Sequence, residues 1–307
     1  MLGPGEKRDL IGDDKAGFYD RFAATHDDDA IYWAQEPTVA WYIVSRRHRA
    51  LLNCLAAQLP SGGTILDVGC GDGKYLSDLP SHLQRHGSDI SEIHVQRARA
   101  RVPEADVRTS DGARLPFDDA SVDCAYSTEV IEHVDDPDLF VREMARVAKL
   151  GGRLVITTPS RFGLFPGSLI WRWNTPARVN RALDRFAYLI AVTLRRPRET
   201  FGKLLRRAHR GGEPPSDSET QDFSHHHLWI FSASQICRLL ESNGCRVLSK
   251  RCVGLNLPLM PLWVLLIFHV PPVRWAYRAL DCGVEHCPGL RWLNHTMIIV
   301  AERIERP

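Results

Sequence analysis

Two groups of residues have side chains and spacing suited to chemistry. Asp67, Asp89 and Asp111 each sit at the end of an apolar, strand-like run: Leu66-Asp67-Val68, Gly87-Ser88-Asp89, and Ala105–Thr109 followed by Ser110-Asp111. Glu129, Glu132 and His133 follow a further strand candidate, Val122–Tyr126, at spacing i, i+3, i+4, and His227 stands just ahead of a later helix. Histidine suits proton removal near neutral pH, which makes His133 and His227 candidate general bases. If the turn at 129–133 is helical, its two carboxylates and imidazole share one face, a donor set able to hold Mg²⁺ or a similar divalent ion, with His227 as a further ligand. A plainer reading stays open: the glutamates cap or orient the turn, and His133 packs or acts alone as a base. His26-Asp27-Asp28-Asp29 is read as a solvated acidic turn, because consecutive residues point different ways.

Between the first two aspartates lies a glycine loop, Gly69-Cys70-Gly71-Asp72-Gly73-Lys74, directly after a strand. It is neither the G-x-G-x-x-G dinucleotide fingerprint, since lysine replaces the third glycine, nor a P-loop, since the G-K-[ST] ending is missing. A pyrophosphate would meet like charge from Asp67 and Asp72, whereas a cationic ligand would be attracted. S-adenosylmethionine carries a sulfonium, an ammonium and a ribose but no phosphate, so it suits a rim of carboxylates. Glycines allow close backbone approach; Asp67 is placed for the methionine ammonium, Asp89 for ribose hydroxyls and Asp111 for the adenine amino group.

These residues need a scaffold that brings several strand ends together. Residues 62–158 alternate strand and helix runs, which implies a parallel α/β sheet covered on both faces. In Asp136-Pro137 the aspartate reads as an N-cap and the proline as a first-turn residue, with Gly151-Gly152 as the helix stop. Ser232 and Gln235 form a capping box ahead of a helix ended by Asn243-Gly244, and Thr296–Ala301 is strongly β-prone. The organisation follows: a helical lid at 1–60, a cofactor-binding core at 61–160, a basic insert or cap at 161–224, and completion of the sheet at 225–307.

The ordered motifs Leu66–Gly73, Gly87-Ser88-Asp89, Ser110–Phe117, Ser127–Val134 and Gly151–Thr158 resemble those of class I S-adenosylmethionine-dependent methyltransferases. The resemblance covers roughly residues 60–160 and resumes at about 225–250. It implies a Rossmann-like seven-stranded sheet with the last strand antiparallel. It assigns Asp67, Gly69 and Gly71 to the methionine end of the cofactor, Asp89 with neighbouring Ile90 to ribose, Asp111 and Gly112 to adenine, and Ser127 to the pocket near the sulfonium. Gly112 departs from the alanine common in relatives. The Glu129, Glu132, His133 and His227 set is similar to the metal site of small-RNA 2′-O-methyltransferases, and a similar run occurs in ubiquinone-biosynthesis O-methyltransferases. The stretch Gly17–Trp33 resembles the lid of quinone and small-molecule methyltransferases, with Tyr19 and Trp33 closing over the cofactor.

Bulk composition agrees with an ordinary globular chain of 307 residues, 44% apolar. Eight cysteines without a CxxC pair fit free cytosolic thiols better than a disulfide framework or a zinc site at Cys282, His286 and Cys287. Residues 161–211 hold twelve Lys/Arg against Asp184 and Glu199, a net +10, leaving 27 basic against 35 acidic residues elsewhere. Val179, Ala182, Leu183, Phe186, Ile190 and Leu194 share a face there, giving a basic amphipathic helix. With 255–270 it suits a greasy substrate tunnel or peripheral membrane contact, or else a packed helix with a solvated arginine face. Prolines at 258, 261, 271 and 272 break the longest uncharged stretch, so no membrane span is expected. The start lacks the apolar run of a secretory signal, which points to the cytoplasm. The function expected is methyl transfer to a small apolar or lipid-like acceptor, oxygen favoured. The alternatives are a metal-dependent RNA 2′-O-methyltransferase, a C- or N-methyltransferase, and a non-catalytic membrane-associated cofactor binder. No RNA-binding module accompanies the arginines, so nucleic acid is not the expected partner.

Overall fold

The structure is a computed structural model that describes residues 14–25, 39–59, 62–160, 228–255, 271–287 and 294–305. The basic segment 161–211, the 256–270 part of the apolar stretch, Trp33 and His227 lie outside the described residues. The elements are α1 (Lys15–Thr25), α2 (Val39–Ala56), β1 (Thr64–Val68), α3 (Lys74–Asp78), β2 (Gln84–Asp89), α4 (Glu92–Arg101), β3 (Asp106–Thr109) and β4 (Val122–Thr128). They continue with α5 (Pro137–Val147), β5 (Ala148–Pro159), α6 (Ala233–Ser242), β6 (Cys245–Leu255), α7 (Pro271–His286) and β7 (Asn294–Arg303).

One seven-stranded sheet runs β3-β2-β1-β4-β5-β7-β6. Strands β1 to β5 pair in parallel, and β7 is antiparallel to both β5 and β6, the arrangement the motif order implies. The chain reverses its direction across the sheet between β1 and β4, so their carboxyl ends open a crevice suited to a ligand. Alternation along β1 sends Leu66 and Val68 to one core with Phe140, Met144, Ile236 and Leu240, and Ile65 to the other with Leu51, Leu55, Leu76 and Val95. Each such side chain buried contributes about 1.5–3 kcal/mol, so both faces clamp the strand ends in place.

Local signals explain several boundaries. Asp136 accepts from the N–H groups of Asp138 and Leu139 at 3.0 and 3.1 Å, and Pro137 opens α5, as Asp-Pro predicts. The Ser232 N–H donates to Gln235 Oε1 at 2.8 Å within the expected capping box, and Asn243-Gly244 ends α6. Gly151-Gly152 is a correction: α5 stops at Val147 without glycine, and both glycines lie inside β5, where the register against β4 shifts. A Cβ at Gly152 would stand 2.7 Å from the Lys149 carbonyl oxygen, so the glycine serves a bulge and not a cap. None of the eight cysteines forms a disulfide. No helix among the described residues is long and apolar enough to cross a membrane.

Candidate active site

The crevice at the strand ends is a cleft of about 900 Å³ whose wall includes Gly69, Gly71, Asp89, Ile90, Asp111 and Gly112. Its shape begins with the glycine loop. Gly69 has φ +83°, and a Cβ there would lie 2.3 Å from Val130 Cγ2, so only glycine lets β1 turn under the loop after β4. The Gly69 and Cys70 N–H groups donate to the Ser88 carbonyl at 2.7 and 2.9 Å, tying the loop to the end of β2. Asp89 completes that tie, accepting from Gly71 N–H at 2.8 Å and from Ser91 N–H at 2.9 Å. His94 Nδ1 stands 3.5 Å from the Oδ1 of the same carboxylate. Asp111 is held by Ala113 N–H at 2.9 Å, with its side chain at the mouth.

Asp67 and Ser127 are placed behind this wall and not on it. Asp67 is buried, and Tyr126 Oη donates to its Oδ2 at 2.8 Å. Burial pushes its pKa up to about 8, against the lowering effect of the Tyr126 bond. Ser127, expected beside the ligand, is fully buried and donates to the Val68 carbonyl at 2.8 Å, while Thr128 lines the cleft. The physical reason is that β4 runs two residues past Tyr126, so the hydroxyl is spent joining β4 to β1.

The loop after β4 is a turn, not a helix, so Glu129, Glu132 and His133 do not share a helical face. Glu129 holds the left-handed φ of +55°, a conformation costing an ordinary residue about 1–3 kcal/mol and common where function fixes a side chain. Its Oε2 pairs with Arg47 Nη1 at 2.9 Å. Glu132 is buried, accepts from Thr158 Oγ1 at 3.0 Å, and lies 3.9 Å from His133 Nε2 through its other oxygen. Burial, then the like charge of Glu129, pushes Glu132 well above the carboxylate range. His133 and Glu129 both line the cleft.

Sequence and structure comparisons decide what this cleft belongs to. Residues 66–156 match the model of the methyltransferase domain family. A Mycolicibacterium smegmatis protein named a probable S-adenosylmethionine-dependent methyltransferase is 40% identical over 124 residues, 40% of this chain and 48% of that protein. The chain carries a class I S-adenosylmethionine-dependent methyltransferase domain. The 27-O-demethylrifamycin SV methyltransferase of Amycolatopsis mediterranei is 33% identical over 147 residues, 43% of this chain and 53% of that enzyme. Among solved structures, the methyltransferase of a Haloferax volcanii complex with the Trm112 methyltransferase activator aligns with TM-score 0.55 at 19% identity, covering 94% of this chain and 98% of that one. At that identity the likeness speaks to the fold alone. The chain spans about half the length of the first curated relatives it matches.

The methyltransferase domain suits its cofactor by donor chemistry: acids and backbone groups line the cleft, and a buried oxygen without a hydrogen bond, Asp67 Oδ1, lies behind the glycine loop. Among the described residues no three His, Cys, Asp or Glu side chains converge on a point that could hold a metal ion. Glu129 is turned to Arg47 instead, and His227 is not among the residues that test can include.

Several residues of the methyltransferase domain's cleft were not singled out by sequence. Lys15 of α1 lines it and reaches Asp135 at 2.7 Å and the His133 carbonyl at 3.2 Å. Asp20, one turn on, accepts from Ser91 Oγ at 2.6 Å and Ile93 N–H at 3.3 Å, so α1 caps the start of α4. Tyr19, which the sequence did single out, lies between them in the cleft wall, its phenol pKa raised by burial and by Asp89. The signal was present in Tyr19-Asp20 but carried no pairing partner. Arg47 sits in a run of four basic residues between 46 and 49, none distinguishable from the others by pattern.

Proposed function

We propose that the chain methylates a small, apolar or lipid-like acceptor, at oxygen. The observation that carries this reading is His133 standing in the wall of the cofactor cleft, backed by the buried carboxyl of Glu132. S-adenosylmethionine would supply an electrophilic methyl carbon. His133 would take the acceptor hydroxyl proton as the oxygen attacks that carbon; the carbon–sulfur bond breaks and S-adenosylhomocysteine leaves with the electron pair. Asp89, fixed by Gly71 and Ser91, would hold the ribose with Ile90 packed beside it, and Asp111 with Gly112 the adenine. Phe22, Val130 and Leu139 give the cleft an apolar side that favours an apolar acceptor. Two relatives bear names that support oxygen, the rifamycin enzyme and a rice protein named as a probable tocopherol O-methyltransferase, 28% identical over 194 residues.

The test is transfer of isotope-labelled methyl to a panel of phenols, quinols and polyketide alcohols, with and without EDTA. Labelled ether product that survives EDTA and falls at least about a hundredfold in His133→Gln supports the reading. Transfer abolished by EDTA would move the assignment to a metal-assisted reaction that uses Glu129, Glu132 and His227, and label on carbon or nitrogen would overturn the oxygen assignment.

A further inference from the structure

Behind the innermost wall of the cleft lie buried polar side-chain atoms without a hydrogen bond. Eight buried side-chain nitrogen or oxygen atoms among the described residues lack a hydrogen bond; five of them belong to Arg47, Asp67, Tyr75, Thr128 and Glu132. These residues adjoin one another. Arg47 lies against Tyr75 and Glu129 and within reach of the charge of Glu132, and Tyr75 lies within reach of the charges of Arg47, Glu129 and Asp67. The Tyr75 hydroxyl touches the guanidinium without a well-directed hydrogen bond. Thr128 and Glu129 carry this group into the cleft wall. An unsatisfied buried polar atom costs about 1–3 kcal/mol, so their concentration at one wall marks the place where a polar ligand group belongs.

The wall also has both signs of charge. Asp67, Glu129 and Glu132 are acids, and Arg47 is the cation among them. A lone ammonium would leave Arg47 Nε unpaired, and a lone carboxylate would meet three acids. A group carrying an ammonium and a carboxylate on one carbon satisfies both. Arg47 has donors to spare: Nη1 holds Glu129 at 2.9 Å, Nε has no partner, and the side chain keeps 16% of its surface exposed. Lys15, a cation in the wall itself, is taken by Asp135 and the His133 carbonyl.

We infer that Arg47, reaching from α2, anchors the carboxylate of the cofactor's amino-acid end, with the ammonium on the side of Asp67 and Glu132. The assignment rests on the cofactor reading above. A guanidinium offers a planar fork to a carboxylate, and charge-assisted bonds of this kind contribute about twice a neutral one.

Three ligands separate the anchor from the rest of the cleft: S-adenosylmethionine, its decarboxylated analogue, and 5′-methylthioadenosine, which lacks the amino-acid end. In calorimetry the wild type binds S-adenosylmethionine at least about tenfold tighter than the decarboxylated form. Arg47→Gln brings the two within about threefold while 5′-methylthioadenosine keeps its affinity, which shows a folded cleft; Arg47→Lys falls between. The inference is overturned if Arg47→Gln keeps the wild-type preference, or if it weakens 5′-methylthioadenosine in step with S-adenosylmethionine. Failure of the wild type to bind any of the three would instead overturn the cofactor reading beneath it.

Discussion

Asp67 shows how burial changes the charge state of one carboxyl. In the unfolded chain it titrates near 3.9, but burial carries it to about 8 in the fold. The native state therefore holds a proton that the unfolded state has lost between those values, and this residue's contribution to stability falls as pH rises from about 4 to about 8. A bound ammonium favours the ionised form, so S-adenosylmethionine binding at pH 7 should expel up to about one proton. Calorimetry in buffers of different ionisation enthalpy reads that number directly, and Asp67→Asn should remove it. Binding heats that do not change with buffer would contradict the assignment. Gly69 poses a steric question at the same wall. Gly69→Ala must place a methyl 2.3 Å from Val130 Cγ2 at φ +83°, which should cost about 1–3 kcal/mol. Trimming the clash with Val130→Ala should restore only part of the loss, because the backbone strain remains; full recovery in the thermal melting of the double variant would show that the strain argument is wrong.

At the scale of elements, α1 is held at two points across the cleft, Lys15 on the 133–135 turn and Asp20 on the start of α4. The Ser91 hydroxyl, and then the backbone N–H of Ile93, hold the Asp20 carboxyl below its ordinary value, so its contribution is present above the unfolded pKa and lost as pH falls through the lower folded one. Asp20→Ala removes a cap worth about 1 kcal/mol and should raise hydrogen exchange in residues 15–25 before the global melt changes; unchanged exchange in α1 would refute the clamp. The Asp136 cap and Pro137 were legible in the sequence because both ends of the interaction lie within three residues. Gly151-Gly152 was misread because two glycines after a helix look the same whether they stop it or bulge the next strand. Ser127 sits in a strand that runs two residues further than its apolar pattern, which buries its hydroxyl against Val68 and leaves Thr128 in the cleft wall. Arg47 could not be picked out at all, since its partners Glu129 and Tyr75 come from β4's loop and α3, and only the folded sheet brings them to α2.

Across the whole molecule, Arg47 depends on where α2 stands, and α2 is fixed from its far side. Tyr42 Oη donates to Asp281 Oδ2 at 2.7 Å and Arg46 Nε to the same oxygen at 3.1 Å, while Arg46 also meets Glu285, which in turn accepts from Arg251 Nε at 2.6 Å. Asp281 is fully buried, and through it α2, α7 and the edge strand β6 are joined by side chains drawn from distant parts of the sequence. Removing one partner of such a network leaves the others desolvated and uncompensated, a loss of about 3 kcal/mol or more. Asp281→Ala should therefore lower Tm by roughly 6–12 °C. Tyr42→Phe in the Asp281→Ala background should add little, since the acceptor is already gone. Because Arg46 and Arg47 are neighbours on one helix, loosening the α7 side should also shift the Arg47 guanidinium that pairs with Glu129 of the cleft wall. Asp281→Ala is then expected to lose affinity for S-adenosylmethionine while keeping that for 5′-methylthioadenosine. An Asp281→Ala protein with lowered Tm but an unaltered ratio of the two affinities would show that α2 holds Arg47 in place without help from α7.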